Sequence, residues 1–135
     1  MAFWLLKAEP EDYSFERLLA EGSTAWTGVR NHQAARNLKA MRVGERAFFY
    51  RSVARPAIVG LVRIARAWFP DPDDPRWPAV DVVPLSRLPR EVPLAAIKAD
   101  PRLADLALVR QPRLSVVPVS ERHWSILCAM AGLEP

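Results

Sequence analysis

Thirteen prolines against five glycines in 135 residues constrain this chain more than any other feature. Each proline removes a backbone donor and fixes φ, so long uninterrupted elements are disfavoured. Eleven of the prolines fall beyond residue 69, so the second half reads as short pieces. Phe3 to Ala8 reads as a buried strand, stopped by Glu9-Pro10. Ser14 caps a short helix with Phe15, Leu18 and Leu19 on one face and Gly22 at its end. Trp26 to Arg30 is a loop or strand end. Asn31 caps a second helix to about Ala40, turning Ala34, Ala35, Leu38 and Met41 inward. A Val43-Gly44-Glu45 turn leads into a strand from Arg46 to Arg51. Ala57 to Trp68 is a strand-pair region, with Ile58, Gly60, Val62 and Ile64 on one side and Arg63 leaning out. The Pro70-Asp71-Pro72-Asp73-Asp74-Pro75 run reads as a solvent-exposed acidic loop.

Val80 to Leu88 resumes as a strand, and Pro93-Leu94 and Asp100-Pro101 open short helices. Leu114 to Pro118 is the final strand. Ser120 caps the last helix, Val119 staples onto Trp124 across that cap, and Gly132 ends it. Trp124, Leu127, Cys128 and Ala131 form its apolar stripe. Five or six strands with four or five short helices do not alternate as a doubly wound parallel sheet requires. They fit an α+β fold, a small, mostly antiparallel pseudo-barrel with short helices packed around it. The length fits one domain, 1–135.

Several function classes drop out. The single cysteine, Cys128, forbids an internal disulfide, and no Cys/His spacing resembles a metal site. No apolar run approaches the roughly 20 residues of a membrane helix, and the N-terminus lacks a signal-peptide pattern. The expectation is a soluble, intracellular domain with no membrane partner. Five scattered glycines build neither a P-loop nor a Rossmann turn, so no cofactor is implied. Cys128 reads as an inert core thiol and His123 as a surface residue. His32, just after the helix cap, either faces a ligand or does nothing. Lys7 and Glu9 share a strand face, as an acid–base pair or as an ordinary ion pair. No catalytic set emerges from spacing.

Charge and rings are more informative. Between Trp26 and Arg66 nine basic side chains meet one acid, Glu45, a local +8 in a chain of net +4. Sixteen of the nineteen basic residues are arginine, the better residue for bidentate phosphate contact and for stacking. Arg36, Lys39, Arg51 and Arg55 in this stretch are candidate phosphate ligands, the alternative being a solvated face. Trp26 lies in a loop, and Tyr50 alternates with Phe49 on a strand. With Asn31 and Ser52 nearby, Trp26 and Tyr50 outline a partly open aromatic pocket suited to a nucleobase.

Five ordered motifs then carry a resemblance: Phe3-Trp4-Leu5-Leu6-Lys7-Ala8-Glu9-Pro10, Trp26-Thr27-Gly28-Val29-Arg30-Asn31, Ala35-Arg36-Asn37-Leu38, Phe48-Phe49-Tyr50-Arg51-Ser52 and Arg110-Gln111-Pro112-Arg113-Leu114-Ser115-Val116. Their order over nearly the whole chain resembles the EVE domain family, in its thymocyte-nuclear-protein-like branch. The resemblance implies a PUA-like fold and a pocket for a flipped, modified base in DNA or RNA, often a 5-substituted cytosine. It places Trp4, Lys7, Val29, Arg30, Gln111, Arg113 and Ser115 beside that pocket. Three departures stand out: Arg51 where the family often has His, Pro112 where it usually has Gly, and a short Phe69–Trp77 stretch. Two other readings remain open. One is an ASCH-type amidohydrolase of a modified cytidine that uses Lys7 and Glu9; the other is a basic protein-interaction module.

Overall fold

The structure, a computed structural model, describes residues 1–133; the last two positions of the expected 1–135 unit lie outside it. Six strands form one sheet in the order β2-β5-β4-β3-β1-β6. They are β1 (Phe3–Ala8), β2 (Thr24–Trp26), β3 (Arg46–Arg51), β4 (Ala57–Pro70), β5 (Pro78–Pro93) and β6 (Val116–Val119). All neighbours pair antiparallel except β1 with β3, which run parallel with Lys7 opposite Tyr50. The helices are α1 (Phe15–Glu21), α2 (His32–Ala40), α3 (Leu94–Ala99), α4 (Ala107–Arg110) and α5 (Glu121–Ala131), with a 3-10 turn at Pro101–Leu103. No helix is long and apolar enough to cross a membrane among the described residues.

The sheet curls without closing. Helix α2 packs on edge strand β6 and also on β5 and β4 towards the opposite edge. Asn37 Nδ2 ties it to the Val116 carbonyl at 2.8 Å. The architecture is thus the expected α+β pseudo-barrel, left open between its two edges. Local capping follows the sequence. Ser14, Asn31 and Ser120 each accept a backbone N–H of the first turn, and Gly22 and Gly132 end α1 and α5 in the left-handed region.

Prolines break the second half less than expected. Strands β4 and β5 run 14 and 16 residues as one long hairpin. Beyond Val82, β5 has no strand on its far side, and an edge tolerates Pro84 and Pro89. Register shifts, among them those near Gly60 and between Arg66 and Phe69, bend the ladder.

Both faces of β3 are covered. On one, Trp124 of α5 stacks on Phe48 at 4.0 Å and on Phe3 at 4.4 Å. On the other, Phe49 meets Phe15 at 5.2 Å and Trp26 at 5.6 Å, edge to face. Phe15 lies so close over Gly60 that a Cβ there would overlap its ring. Cys128 is a core thiol, raised in pKa by burial.

Three side chains depart from expectation. Leu19 is exposed, because α1 buries only Phe15 and Leu18. His123 is buried, with Nε2 2.9 Å from Asp105 Oδ1. Asp71, expected in solvent, is wholly buried.

Candidate functional site

A cavity of about 780 Å³ opens where the C-terminal end of β1 meets β2, the loop after it, the β3–β4 turn and the segment before β6. Its apolar wall is Trp26, Tyr13 and Val29; its polar wall includes Lys7, Arg30, Ser52, Arg113 and Ser115. Seven of the eleven expected pocket residues therefore meet here: Lys7, Trp26, Val29, Arg30, Ser52, Arg113 and Ser115.

Trp26 is held at a fixed angle. Its ring packs edge-on against Phe49 and stands 6.3 Å from Tyr13 at 84°. Tyr13 donates its hydroxyl to Glu21 Oε1 at 2.7 Å, with the Arg17 guanidinium 5.0 Å over its ring. Lys7 is half-buried at the end of β1. Its Nζ donates to the Pro112 carbonyl at 2.9 Å, and burial lowers its pKa. The β1 backbone is fastened on both sides, from Lys7 N to Ser115 O at 3.0 Å and from Ser52 N to Ala8 O at 2.9 Å. Those two bonds set Ser52 and Ser115 on either side of Lys7.

The loop after β2 is fixed by a group that sequence reasoning missed. Asp71 accepts from Gly28 N–H at 2.9 Å, Arg30 NH1 at 3.0 Å and Asp73 N–H at 2.8 Å. Burial by itself raises the Asp71 carboxyl. The hydrogen bonds from Gly28, Asp73 and Arg30 outweigh it and hold the group below the usual aspartate range. Gly28 adopts φ +83°, which a side chain rarely takes, so this loop shape calls for glycine.

Four expected pocket residues lie elsewhere. Trp4 is buried in the core, with Nε1 donating to Glu45 Oε1 at 3.0 Å. Tyr50 is buried too, at 3% exposed, with Lys7 Nζ 5.8 Å from its ring, so it offers no open face. Asn31 Oδ1 is committed to Ala34 N–H as the α2 cap at 2.9 Å. Gln111 is exposed at the end of α4, off the cavity wall. Tyr13 takes the position expected of Tyr50 as second ring.

The expected phosphate ligands divide as well. Arg36 and Lys39 are exposed on α2. Arg51 is engaged, donating twice to the Glu91 carboxylate and twice to the Arg55 carbonyl at 2.8–3.1 Å. That clamp holds a turn in which Val53, Ala54 and Arg55 all have positive φ, with Val53 on the cavity rim.

Neither histidine lines the cavity, so its hydroxyls have no imidazole beside them. What the site offers is a ring pair at right angles, a half-buried ammonium, guanidiniums, hydroxyls, and the carboxylates of Glu9 and Asp12 at its edge.

Comparison with known proteins gives a consistent result. Residues 2–130 match the EVE domain. The chain is 32% identical to human thymocyte nuclear protein 1 over 98% of its own length and 75% of that protein's. Among solved structures, Atu2648 from Agrobacterium tumefaciens is 39% identical with a TM-score of 0.96, covering 98% of this chain and 94% of that one. The human THYN1 protein, crystallised in complex with 5-methylcytosine-containing DNA, is 32% identical with a TM-score of 0.92 and full coverage of both chains. An ASCH protein from Zymomonas mobilis, at 11% identity and a TM-score of 0.58 over 95% of this chain and 97% of that one, shares the fold alone. Motif order, architecture and these likenesses lead to one conclusion: the chain belongs to the EVE domain family.

Proposed function

We propose that this protein is a reader of a modified base in nucleic acid, which it takes into the Trp26/Tyr13 cavity without altering it, with 5-methylcytosine in DNA as the first candidate. The observation that carries this reading is the cavity itself, in a chain whose human relative was crystallised with such DNA. Trp26 and Tyr13 supply apolar faces for an inserted ring. A cytosine edge presents both an N–H donor and acceptors. Lys7 and the Ser52 and Ser115 hydroxyls donate towards the acceptors, and Glu9 and Asp12 receive the amino group. Extruding a base costs a few kcal/mol, least where it is mismatched or already single-stranded. One methyl adds about 1–3 kcal/mol of apolar contact, so selectivity is moderate. Arg36 and Lys39 add salt-dependent attraction to phosphates, which positions the strand without reading it.

The nucleic acid that co-purifies with the native protein tests this directly once it is digested and profiled for nucleosides. Enrichment of a modified nucleoside over the host's bulk pool supports the reading, and a pool of bulk composition counts against it. The amidohydrolase reading draws on the lowered pKa of Lys7. Time-dependent release of product from acetylcytidine, lost in Lys7→Ala, would replace the reader by an enzyme.

A further inference from the structure

Two tryptophans outside the cavity have no role in the core. Trp68 on β4 is 45% exposed, and Trp77, half-buried, precedes β5. Both stand beside side chains of α2. The His32 ring stacks on Trp77 at 4.9 Å and 30°, and Lys39 Nζ lies 4.8 Å from the Trp68 ring centre. Between α2 and the β4–β5 connection runs a second cleft of about 450 Å³, lined by His32, Arg36, Lys39, Arg76 and Trp77 among others. Arg76 is neutralised by Asp74 at 2.7 Å. Arg36 and Lys39 have no ion-pair partner among the described residues.

We infer that this cleft is a second nucleotide subsite, which stacks a base of the strand flanking the nucleotide held in the cavity. The inference rests on the reading of the cavity as a base site and adds where the neighbouring strand runs. Exposed rings interleaved with unpaired cations are the surface that a single strand binds, with bases on the rings and phosphates on the cations. An acidic peptide would satisfy Arg36 and Lys39 but leave Trp68 and Trp77 without a partner, so a nucleic acid fits the whole cluster better. The two sites are also contiguous. Arg30 lines the first cavity, and its guanidinium lies 5.9 Å from the Trp77 ring. His32 follows Arg30 by two residues, a backbone reach of at most about 7 Å. A strand with one base in the cavity can therefore place a near neighbour on the His32–Trp77 platform.

The test compares the full-length protein with Trp68→Ala and His32→Ala, each first checked for unchanged thermal unfolding. Trp77→Ala is avoided because the guanidinium of Arg30, a cavity residue, lies 5.9 Å from that ring, so its loss could disturb the cavity as well. Three probes are titrated: 5-methyl-deoxycytidine monophosphate, a labelled single-stranded dodecamer with one 5-methylcytosine, and the same dodecamer unmodified. Both variants are expected to lose about fivefold or more in affinity for the two dodecamers alike, the low end of what one stacked base contributes. Binding of the monophosphate, which reaches only the cavity, should not change. Undiminished dodecamer affinity in both variants would overturn the inference, as would an equal loss for monophosphate and dodecamer. Displacement of the dodecamer by polyglutamate as readily as by unlabelled dodecamer would also overturn it, assigning the cleft to acidic chains. Failure of the cavity reading shows separately, as a wild-type protein that binds the modified and unmodified dodecamers equally.

Discussion

Trp26 and Tyr13 face the same cavity but do different work. Trp26 is 8% exposed and packs on Phe49, so Trp26→Ala should remove about 3–5 kcal/mol of stability together with binding. Tyr13 is half-buried, with its hydroxyl on an exposed glutamate. Tyr13→Ala should lower affinity for a modified oligonucleotide by about 1–3 kcal/mol with little change in melting temperature. Tyr50→Phe should alter neither. Thermal unfolding and a modified-to-unmodified binding ratio, taken on the same three variants, check all of this. Lys7, Trp26 and Arg30 were legible in the sequence because they sit in dense motifs. Tyr13 was not, since it stands alone in the polar run before the first helix. Asp71 was hidden for another reason: its partners Gly28 and Arg30 lie 43 and 41 residues away, and an acid among prolines ordinarily faces solvent. Asp71→Ala should cost about 1–3 kcal/mol by leaving those donors without an acceptor, and hydrogen exchange at Gly28 should quicken. The carboxyl is held below the usual aspartate range, so its contribution is complete above the unfolded pKa of about 3.9. It fades as pH falls through the lower folded value. Acid titration of the wild type, set against Asp71→Asn, should show the two stability curves converging below that range.

Elements dock here through a few close approaches. Helix α1 reaches the sheet because Phe15 lies over Gly60. Gly60→Ala should destabilise the fold by about 1–3 kcal/mol through overpacking, read as a lower midpoint in urea. The β3–β4 turn carries the opposite signature. Val53 holds φ +60° in a run of three left-handed residues, a conformation worth on the order of 1–3 kcal/mol of strain for a branched side chain. Val53→Gly should therefore raise the melting temperature, although glycine normally loosens a chain. A fall would mean that the turn carries little strain. The turn's shape was not legible, because no glycine or asparagine marks it; the Arg51–Glu91 clamp 40 residues apart imposes it. Helix starts and ends were legible, since their capping side chains act within three or four residues. The length of the β4–β5 hairpin was not, because prolines break a central strand but are tolerated on an edge that only topology defines.

The whole molecule joins a basic flank to a selective cavity, and the two should separate experimentally. Arg36→Glu with Lys39→Glu should weaken binding to every oligonucleotide and flatten the salt dependence, leaving the modified-to-unmodified ratio unchanged. Full affinity with an unaltered slope would make the flank a solvated face. Charge mapping found that flank from sequence, but only the structure showed that Arg51, counted with it, is neutralised by Glu91. The central claim concerns the cavity, and one ratio tests it most directly: the affinity for an oligonucleotide with a single 5-methylcytosine divided by that for its unmodified twin, in wild type and in Tyr13→Ala at the same salt. The account predicts a wild-type ratio clearly above one that falls towards one when the ring is removed; equal affinities in the wild type, or a preference that survives in Tyr13→Ala, would contradict it.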